Sequence, residues 1–327
     1  MGSNVVRFLA AMGVSVSAIS RSSFPILGAN VVRIPDWNNG PAALDILRRE
    51  LANTDTVIHL AGRAHQVRES ESAEVMALHT HSHVDIARLL LKACEGSNVG
   101  RFIALSSVAA VTDSTDSIIT ESAACHPLTP YGKAKFEMEN LVLVGAPQVG
   151  AIPFILRAPL IYGPGMKGNP LRLVDALRRG IPIPVSSPTA RRSFLFIENL
   201  CQAIGIITTT TRLKGGTYFI ADGPSLSVPS FIEGLAAGLG IRPRLFHISV
   251  DTLEMLGRLG GVASRFFPSP ITPYEMRKLY SSLEISCVKF WTEAGETPLF
   301  LAQDALAVTG EHYRCIRHSP HRPSQIP

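Results

Sequence analysis

The first half of the chain alternates between short apolar runs and longer amphipathic segments. The apolar runs predict strands at 14–19, 31–34, 55–60, 101–106 and 152–157. Between them, apolar residues three and four positions apart predict helices at 3–13, 41–51, 73–95 and 131–144. Strands that alternate with helices are joined by right-handed crossovers, so this pattern predicts an α/β fold with a doubly wound parallel sheet.

After about residue 160 the pattern changes, because Pro and Gly cluster at 159–170 and 180–188 and the helices shorten. Here the pattern predicts helices at 168–179 and 229–240 and a strand near 217–221. We therefore expect three regions: a sheet domain at 1–160, a smaller cap at 161–310, and a disordered tail at 311–327, which is rich in His, Arg, Pro and Ser.

Composition excludes several protein classes. The 327 residues carry 31 Lys and Arg against 26 Asp and Glu, a net charge of +5, which is too small and too scattered for a nucleic-acid-binding stripe. No apolar run approaches the roughly 20 residues that span a bilayer, and the first residues do not resemble a signal peptide. The five cysteines are odd in number and far apart, which predicts reduced thiols in a cytoplasmic protein.

A Tyr-x-x-x-Lys pair at Tyr131 and Lys135 is the strongest chemical signal. Four residues are about one helical turn, so both side chains share a helix face. A neighbouring cation is expected to lower the phenol pKa from its usual value of about 10. Ser106 and Ser107 end the strand at 101–106 and would lie at the same edge of the sheet. Alone, the pair also fits a solvated helix face.

Histidines form a second candidate cluster. On a helix, His79 and His83 share a face, as metal-binding pairs do, but no third ligand lies suitably near. We therefore interpret them as polar residues on a helix surface rather than metal ligands. His59 lies inside an apolar run and is interpreted as a hydrogen-bonded core histidine.

Seven segments, in this order, resemble the extended short-chain dehydrogenases/reductases of the NAD-dependent epimerase/dehydratase family. They are residues 2–9 (GSNVVRFL), 36–37 (DW), 57–62 (VIHLAG), 105–107 (LSS), 131–135 (YGKAK), 156–165 (LRAPLIYGPG) and 191–200 (RRSFLFIENL). The stretch YGPGMKGNPL at 162–171 is most similar to bacterial 4-epimerases and 4-keto reductases of UDP-sugars. The resemblance implies a Rossmann domain at 1–160 and a substrate-binding cap at 161–310.

The resemblance also implies a cofactor site for NAD or NADP. Gly2 matches the third glycine of the family's phosphate-binding turn. The first strand and the first two glycines have no counterpart in this chain, so we expect a misassigned start, a truncated gene or a fragment. Arg21 stands where an acidic residue would bind the ribose of NAD, which favours NADP, although a surface arginine is an equal alternative. The remaining cofactor contacts implied are Asp36 and Trp37 beside the adenine, and Leu60, Ala61 and Gly62 along the dinucleotide.

For the reaction, the resemblance implies hydride transfer at a sugar carbon. Tyr131 would act as general acid/base, Lys135 would tune it and hold the nicotinamide ribose, and Ser107 would bind the reacting oxygen, with Ser106 as the alternative. Relatives carry Asn at the position of His79, which puts full activity in doubt. A non-catalytic relative and a reductase of a non-sugar carbonyl therefore remain open.

Substrate and assembly follow from the same resemblance. Arg192 would bind the phosphates of a nucleotide sugar, and Asn169 would contact the phosphate or the sugar. Relatives often dimerise through two long helices, which here are 73–95 and 131–144.

Overall fold

A computed structural model describes residues 1–21, 25–38, 40–63, 72–186, 190–263 and 280–316, with side chains up to 260 in the fifth range. The first half contains α1 (Gly2–Ala11), β1 (Ser17–Ser20), β2 (Asn30–Arg33), α2 (Gly40–Leu51), β3 (Thr56–His59), α3 (Ala73–Thr80), a π-helical segment (His81–Asp85), α4 (Ile86–Cys94), β4 (Arg101–Ser107), a 3₁₀ turn (Val108–Ala110), α5 (Pro130–Gln148) and β5 (Ile152–Ala158).

The second half contains shorter elements. They are β6 (Leu160–Tyr162), α6 (Asn169–Arg178), β7 (Ile183–Val185), β8 (Arg191–Arg192), β9 (Phe194–Phe196), α7 (Ile197–Thr209), β10 (Gly216–Phe219), β11 (Leu226–Ser227), α8 (Val228–Leu239), β12 (Leu245–His247), α9 (Val250–Ala263), α10 (Val288–Ala294) and α11 (Ala302–Cys315).

The central sheet has the order β10-β5-β4-β3, and all its strand pairs are parallel. A second parallel pair joins β1 to β2. Within the described residues, β1 pairs with β2 alone and β3 with β4 alone. The prediction of a parallel α/β sheet is confirmed, and β10 shows that the second half of the chain adds a strand to it.

Helices cover both faces of the sheet. Phe102 and Ala104 of β4 belong to a hydrophobic cluster that includes residues of α2, α4 and α5. Ile103 and Leu105 alternate with them and belong to a second cluster, which includes residues of α1, α7 and α8. Because successive strand residues point to opposite faces, this division describes the two layers of a doubly wound fold.

Two element boundaries differ from the sequence prediction. The helix predicted at 73–95 is α3, the π-helical segment and α4 in succession, and all three pack against α5. The predicted tail starts at 311, but α11 continues to Cys315. It does so because Thr309 and Tyr313 are buried against the rest of the molecule. Residues 317–327 lie outside the described residues.

No helix within the described ranges combines the length and the apolar character needed to cross a bilayer.

Candidate active site

The site forms where β4 ends and α5 begins. Thr129 caps α5 by accepting a hydrogen bond from Gly132 N at 3.1 Å, and Pro130 occupies the first helical position. A Cβ on Gly132 would lie 2.2 Å from Ala109 O. Glycine therefore allows the first turn of α5 to pack directly on the 3₁₀ turn that follows β4, which brings Tyr131 next to Ser107.

The two serines at the end of β4 have different partners. Ser107 shares a side-chain hydrogen bond with Tyr131, and its Oγ also accepts from Ala109 N at 3.2 Å. Ser106 is buried and donates to Glu139 Oε1 at 2.5 Å. Of the two candidates for the catalytic serine, Ser107 is therefore the one beside the phenol.

Lys135 is held one turn further along α5. Its Nζ donates to Leu105 O at 2.7 Å and lies 6.0 Å from the centroid of the Tyr131 ring. Burial lowers the pKa of Lys135 to about 8, although Glu139 opposes this change. The ammonium is thus close to the phenol and is bonded to a neutral carbonyl rather than to a carboxylate.

The Tyr131 phenol is less acidic than the spacing suggested. Burial raises the pKa of Tyr131, and the hydrogen bond to Ser107 acts in the opposite direction. The expectation that Lys135 lowers the pKa of Tyr131 is therefore wrong for this structure, because removal of the phenolate from water is the larger effect.

Two histidines line the Tyr131 ring. His79 and His83 are buried, their rings lie parallel with centroids 5.9 Å apart, and each ring meets Tyr131 edge to face at 5.7 and 5.6 Å. The interpretation of these histidines as surface residues is wrong, because their segment packs against α5. Burial and the charge of Lys135 lower the pKa of His83 to about 2, so its ring is neutral at ordinary pH.

His59 lies behind this pair. It is buried, as expected for a core histidine, and its Nε2 is 3.4 Å from His83 O. Its Nδ1 has no hydrogen-bond partner among the described residues. Burial, with a smaller contribution from Lys135, lowers the pKa of His59 to about 3. Across the described residues, no three or more His, Cys, Asp or Glu side chains are grouped as a metal site would require.

A buried ion pair below the site was missed by sequence reasoning. Arg157 of β5 donates from Nη2 to Glu139 Oε2 at 2.7 Å and from Nε to both carboxylate oxygens. Burial opposes the guanidinium charge, but the bonds and charge of Glu139 outweigh it and raise the pKa of Arg157. Two signals were available: Glu139 lies two turns after Tyr131 on the same helix face, and Arg157 interrupts an apolar strand.

The residues expected along the dinucleotide follow the carboxyl end of β3. Leu60 is half-buried against the core, while Ala61 and Gly62 are exposed. A Cβ on Gly62 would lie 2.2 Å from Cε1 of His83. The backbone here thus lies directly against the His83 ring, at the same edge of the sheet as Ser107.

The other expected cofactor contacts lie at the ends of α1, β1 and β2. Gly2 begins α1, and a Cβ there would meet no atom within 4 Å. Arg21 is exposed directly after β1, and its carbonyl accepts from Arg33 Nε at 3.2 Å. Asp36 is exposed and accepts from the backbone N of residue 38 at 2.9 Å, and Trp37 packs against the hydrophobic cluster that includes residues of α2, α4 and α5.

The two candidate substrate residues lie in separate elements of the second half. Asn169 is exposed at the start of α6. Arg192, in β8, donates from Nη1 to Ser281 O at 2.9 Å. The neighbouring Arg191 pairs with Glu284, with Nε 3.7 Å from Oε2.

Comparison with known proteins supports the same fold. A curated relative, UDP-glucose 4-epimerase of Vibrio cholerae, is 29% identical over 64% of this chain and 65% of its own length. The chain thus matches just under two thirds of that protein. A solved structure of MoeE5 in complex with UDP-glucose and NAD is 25% identical, has a TM-score of 0.73 and matches 96% of this chain and 95% of that one.

A UDP-glucuronic acid 4-epimerase from Bacillus cereus, solved with NAD, shares the fold with a TM-score of 0.73 at 18% identity, over 95% of this chain and 92% of that one. The family model described as NAD dependent epimerase/dehydratase matches residues 1–221, more than half of the chain. The chain therefore belongs to the NAD dependent epimerase/dehydratase family.

Proposed function

We propose that this protein is an NAD(P)-dependent nucleotide-sugar oxidoreductase, either a 4-epimerase or a 4-keto reductase of a UDP-sugar. The observation that carries the proposal is the hydrogen-bonded pair of Ser107 and Tyr131 with the Lys135 ammonium 6.0 Å from the ring. All three lie at the carboxyl edge of a parallel sheet, where α/β proteins bind their ligands.

The residues present fit a dinucleotide. Ala61 and Gly62 are exposed after the carboxyl end of β3, and residues this small leave the backbone open to close approach of a ligand. Gly2 begins a helix in open surroundings, and the N-terminus of a helix favours phosphate. Leu60, Ala61 and Lys135 would hold the nicotinamide half. When bound, the cofactor supplies a hydride acceptor or donor.

The chain itself would handle the proton and the reacting oxygen. Ser107 would donate a hydrogen bond to that oxygen, and Tyr131 would give it a proton or take one from it. Because the pKa of Tyr131 is raised, the phenol is protonated at neutral pH and suits the donor role in carbonyl reduction. The Lys135 cation would favour the phenolate once the proton has left.

The substrate class is supported by relatives that act on or bind UDP-sugars. We propose Arg192 for the diphosphate and Asn169 for the phosphate or sugar. The guanidinium of Arg192 would have to exchange its bond to Ser281 O for one to the ligand. If Arg192 does so, R192A should weaken UDP-sugar affinity and leave NADH affinity unchanged. Homodimerisation is also a proposal, which analytical ultracentrifugation tests.

The decisive experiment combines binding and turnover. The purified chain is titrated with NADH and NADPH by nicotinamide fluorescence and then given UDP-glucose or a 4-keto UDP-sugar. Sugar interconversion without net cofactor change indicates an epimerase, and net NAD(P)H consumption indicates a reductase. Y131F should bind the cofactor normally and lose about 10²–10⁴-fold in turnover. Failure of the unmodified chain to bind either cofactor would contradict the proposal.

Cofactor choice is tested at Arg21, and NAD(H) is the more strongly supported because the solved neighbours were determined with NAD. If Arg21 recognises a 2′-phosphate, R21A should weaken NADPH binding while NADH binding stays unchanged. If NADH binds as tightly as NADPH before the change, the arginine acts only as a surface residue.

A further inference from the structure

The surroundings of Tyr131 have an unusual composition. Its hydroxyl meets Ser107, and its ring meets the imidazoles of His79 and His83 edge to face, with interplanar angles of 71° and 74°. The two imidazoles lie parallel within 4°. Lys135, from the next turn of α5, completes this environment.

Burial of two polar rings here requires an explanation, because leucine or phenylalanine would fill the same volume without removing ring nitrogens from water. His83 Nε2 is 3.1 Å from Arg63 O, while Nδ1 of His83 has no hydrogen-bond partner within the described part of the chain. Both His59 and Lys135 act against protonation of His83. The ring is therefore a neutral, flat surface beside the phenol.

His83 is also confined by a second contact, with the backbone of Gly62. The backbone of Gly62 packs so closely on the imidazole that a methyl group there would overlap Cε1. The ring is carried by a π-helical segment, His81–Asp85. Such segments are rare in proteins, and those that occur are often found at functional sites. Because the imidazole is confined by the Gly62 backbone and meets the Tyr131 ring edge to face, it limits the orientations open to that phenol.

We propose that His79 and His83 are positioning residues that keep the Tyr131 ring oriented with its hydroxyl on Ser107. Edge-to-face ring contacts provide the orientation, because the positive edge of one ring is attracted to the negative face of the other in one relative geometry. The catalytic consequence rests on the proposed function, but the orientation of Tyr131 is a property of the chain alone and can be measured without turnover.

The test separates the His83 ring from its hydrogen bond. His83→Phe keeps a flat ring and loses the bond to Arg63 O, whereas His83→Gln can keep that bond and loses the ring. His81→Gln is the matched control, because the His81 side chain lies on the same segment, is 43% exposed and pairs with Asp85. The readout is the titration of ¹³Cζ-labelled Tyr131, assigned with Y131F, with circular dichroism to verify folding.

We expect the Tyr131 midpoint to shift downward in H83Q, because water reaches a phenol whose pKa is raised by burial. H83F and H81Q should keep the wild-type midpoint. If the enzyme turns over, H83Q should lose roughly 10–100-fold in kcat with little change in KM, and H83F should retain most of the rate.

An unchanged midpoint in H83Q, or equal shifts in H83F and H83Q, would overturn the proposal, since either result assigns His83 to packing or to its hydrogen bond alone. If H83Q does not fold, His79→Gln and His79→Phe repeat the comparison at the other ring and decide it by the same criterion. Absence of turnover in the wild type would contradict the proposed function and leave the titration result standing.

Discussion

Helix α5 presents two regions with opposite charge arrangements on one face. In its first two turns, Tyr131 and Lys135 contact neutral groups, namely a serine, two imidazoles and a backbone carbonyl, and the charge of Glu139 also acts on Lys135. In its third turn, Glu139 has both oxygens bonded by Arg157, and Ser106 donates to one of them.

The difference indicates what each region does. A buried charge with a complete set of partners is satisfied within the protein and contributes to holding the structure together. The Lys135 ammonium, buried beside a phenol and bonded to Leu105 O alone among its described hydrogen bonds, can still attract a negative charge from a ligand or a phenolate. Stability therefore concentrates in the third turn, and under the proposed function the chemistry would take place in the first two.

The largest expected effect is on the ion pair. Glu139→Ala should lower the free energy of unfolding by about 3–5 kcal/mol, because it leaves the buried Arg157 guanidinium without its partner. Denaturant unfolding measures the change. Glu137→Ala is the control, since Glu137 is exposed on the same helix and should change stability by no more than about 0.5 kcal/mol. A loss of less than about 1 kcal/mol in E139A would remove the distinction between the two regions.

Lys135 gives the next largest effect, seen as a dependence on pH. Its pKa falls from 10.5 to about 8 on folding, so the unfolded chain binds the proton more tightly and wild-type stability should rise as pH increases from about 8 to 10.5. Lys135→Met removes this gain. The unfolding free energy of K135M minus that of wild type should therefore fall by on the order of 3 kcal/mol across this range.

Unfolding titrations at a series of pH values, compared between variant and wild type, measure this difference. Lys133→Met, an exposed neighbour on α5, should show a constant difference from wild type. If the difference in unfolding free energy between K135M and wild type is also constant with pH, the Lys135 ammonium is solvated, and its assignment as a buried charge is wrong.

The smallest expected effects separate the adjacent serines. Ser106→Ala should cost about 1.5–3 kcal/mol of stability, because Glu139 loses a donor, and should leave the Tyr131 titration unchanged. Ser107→Ala should alter stability by less than about 1 kcal/mol and shift the Tyr131 midpoint upward, because the hydrogen bond to Ser107 lowers that pKa. If S106A and S107A change stability and the Tyr131 midpoint in the same way, Ser106 does not belong to the ion-pair region and Ser107 to the phenol region.

Local sequence signals predicted the frame of the site well. The predicted strand at 101–106 and the predicted helix at 131–144 correspond closely to β4 and α5, because apolar periodicity depends on neighbouring residues. The adjacent placement of Ser107 and Tyr131 follows from the rule that ligand sites lie at the carboxyl edge of a parallel sheet.

Features that depend on contacts distant in sequence were not predictable in this way. The polar run from His79 to His83 has the composition of a solvated helix, yet both of these histidines are buried because α5 packs over them. The choice between Ser106 and Ser107 depended on Glu139, more than thirty residues away. The rise in the Tyr131 pKa depends on how far the phenol is removed from water, and the spacing of residues along a helix does not give that information.

The shared helix face has a consequence for genetics. Since Tyr131 and Glu139 lie two turns apart on α5, a lesion at Arg157 that loosens the helix would also displace the phenol. A library selected for turnover alone would score changes at Arg157 and changes at Tyr131 equally as inactive. The first class would have lost a correctly folded helix, and the second only the phenol. Abundance of the folded protein must be sorted in parallel for such a map to distinguish them.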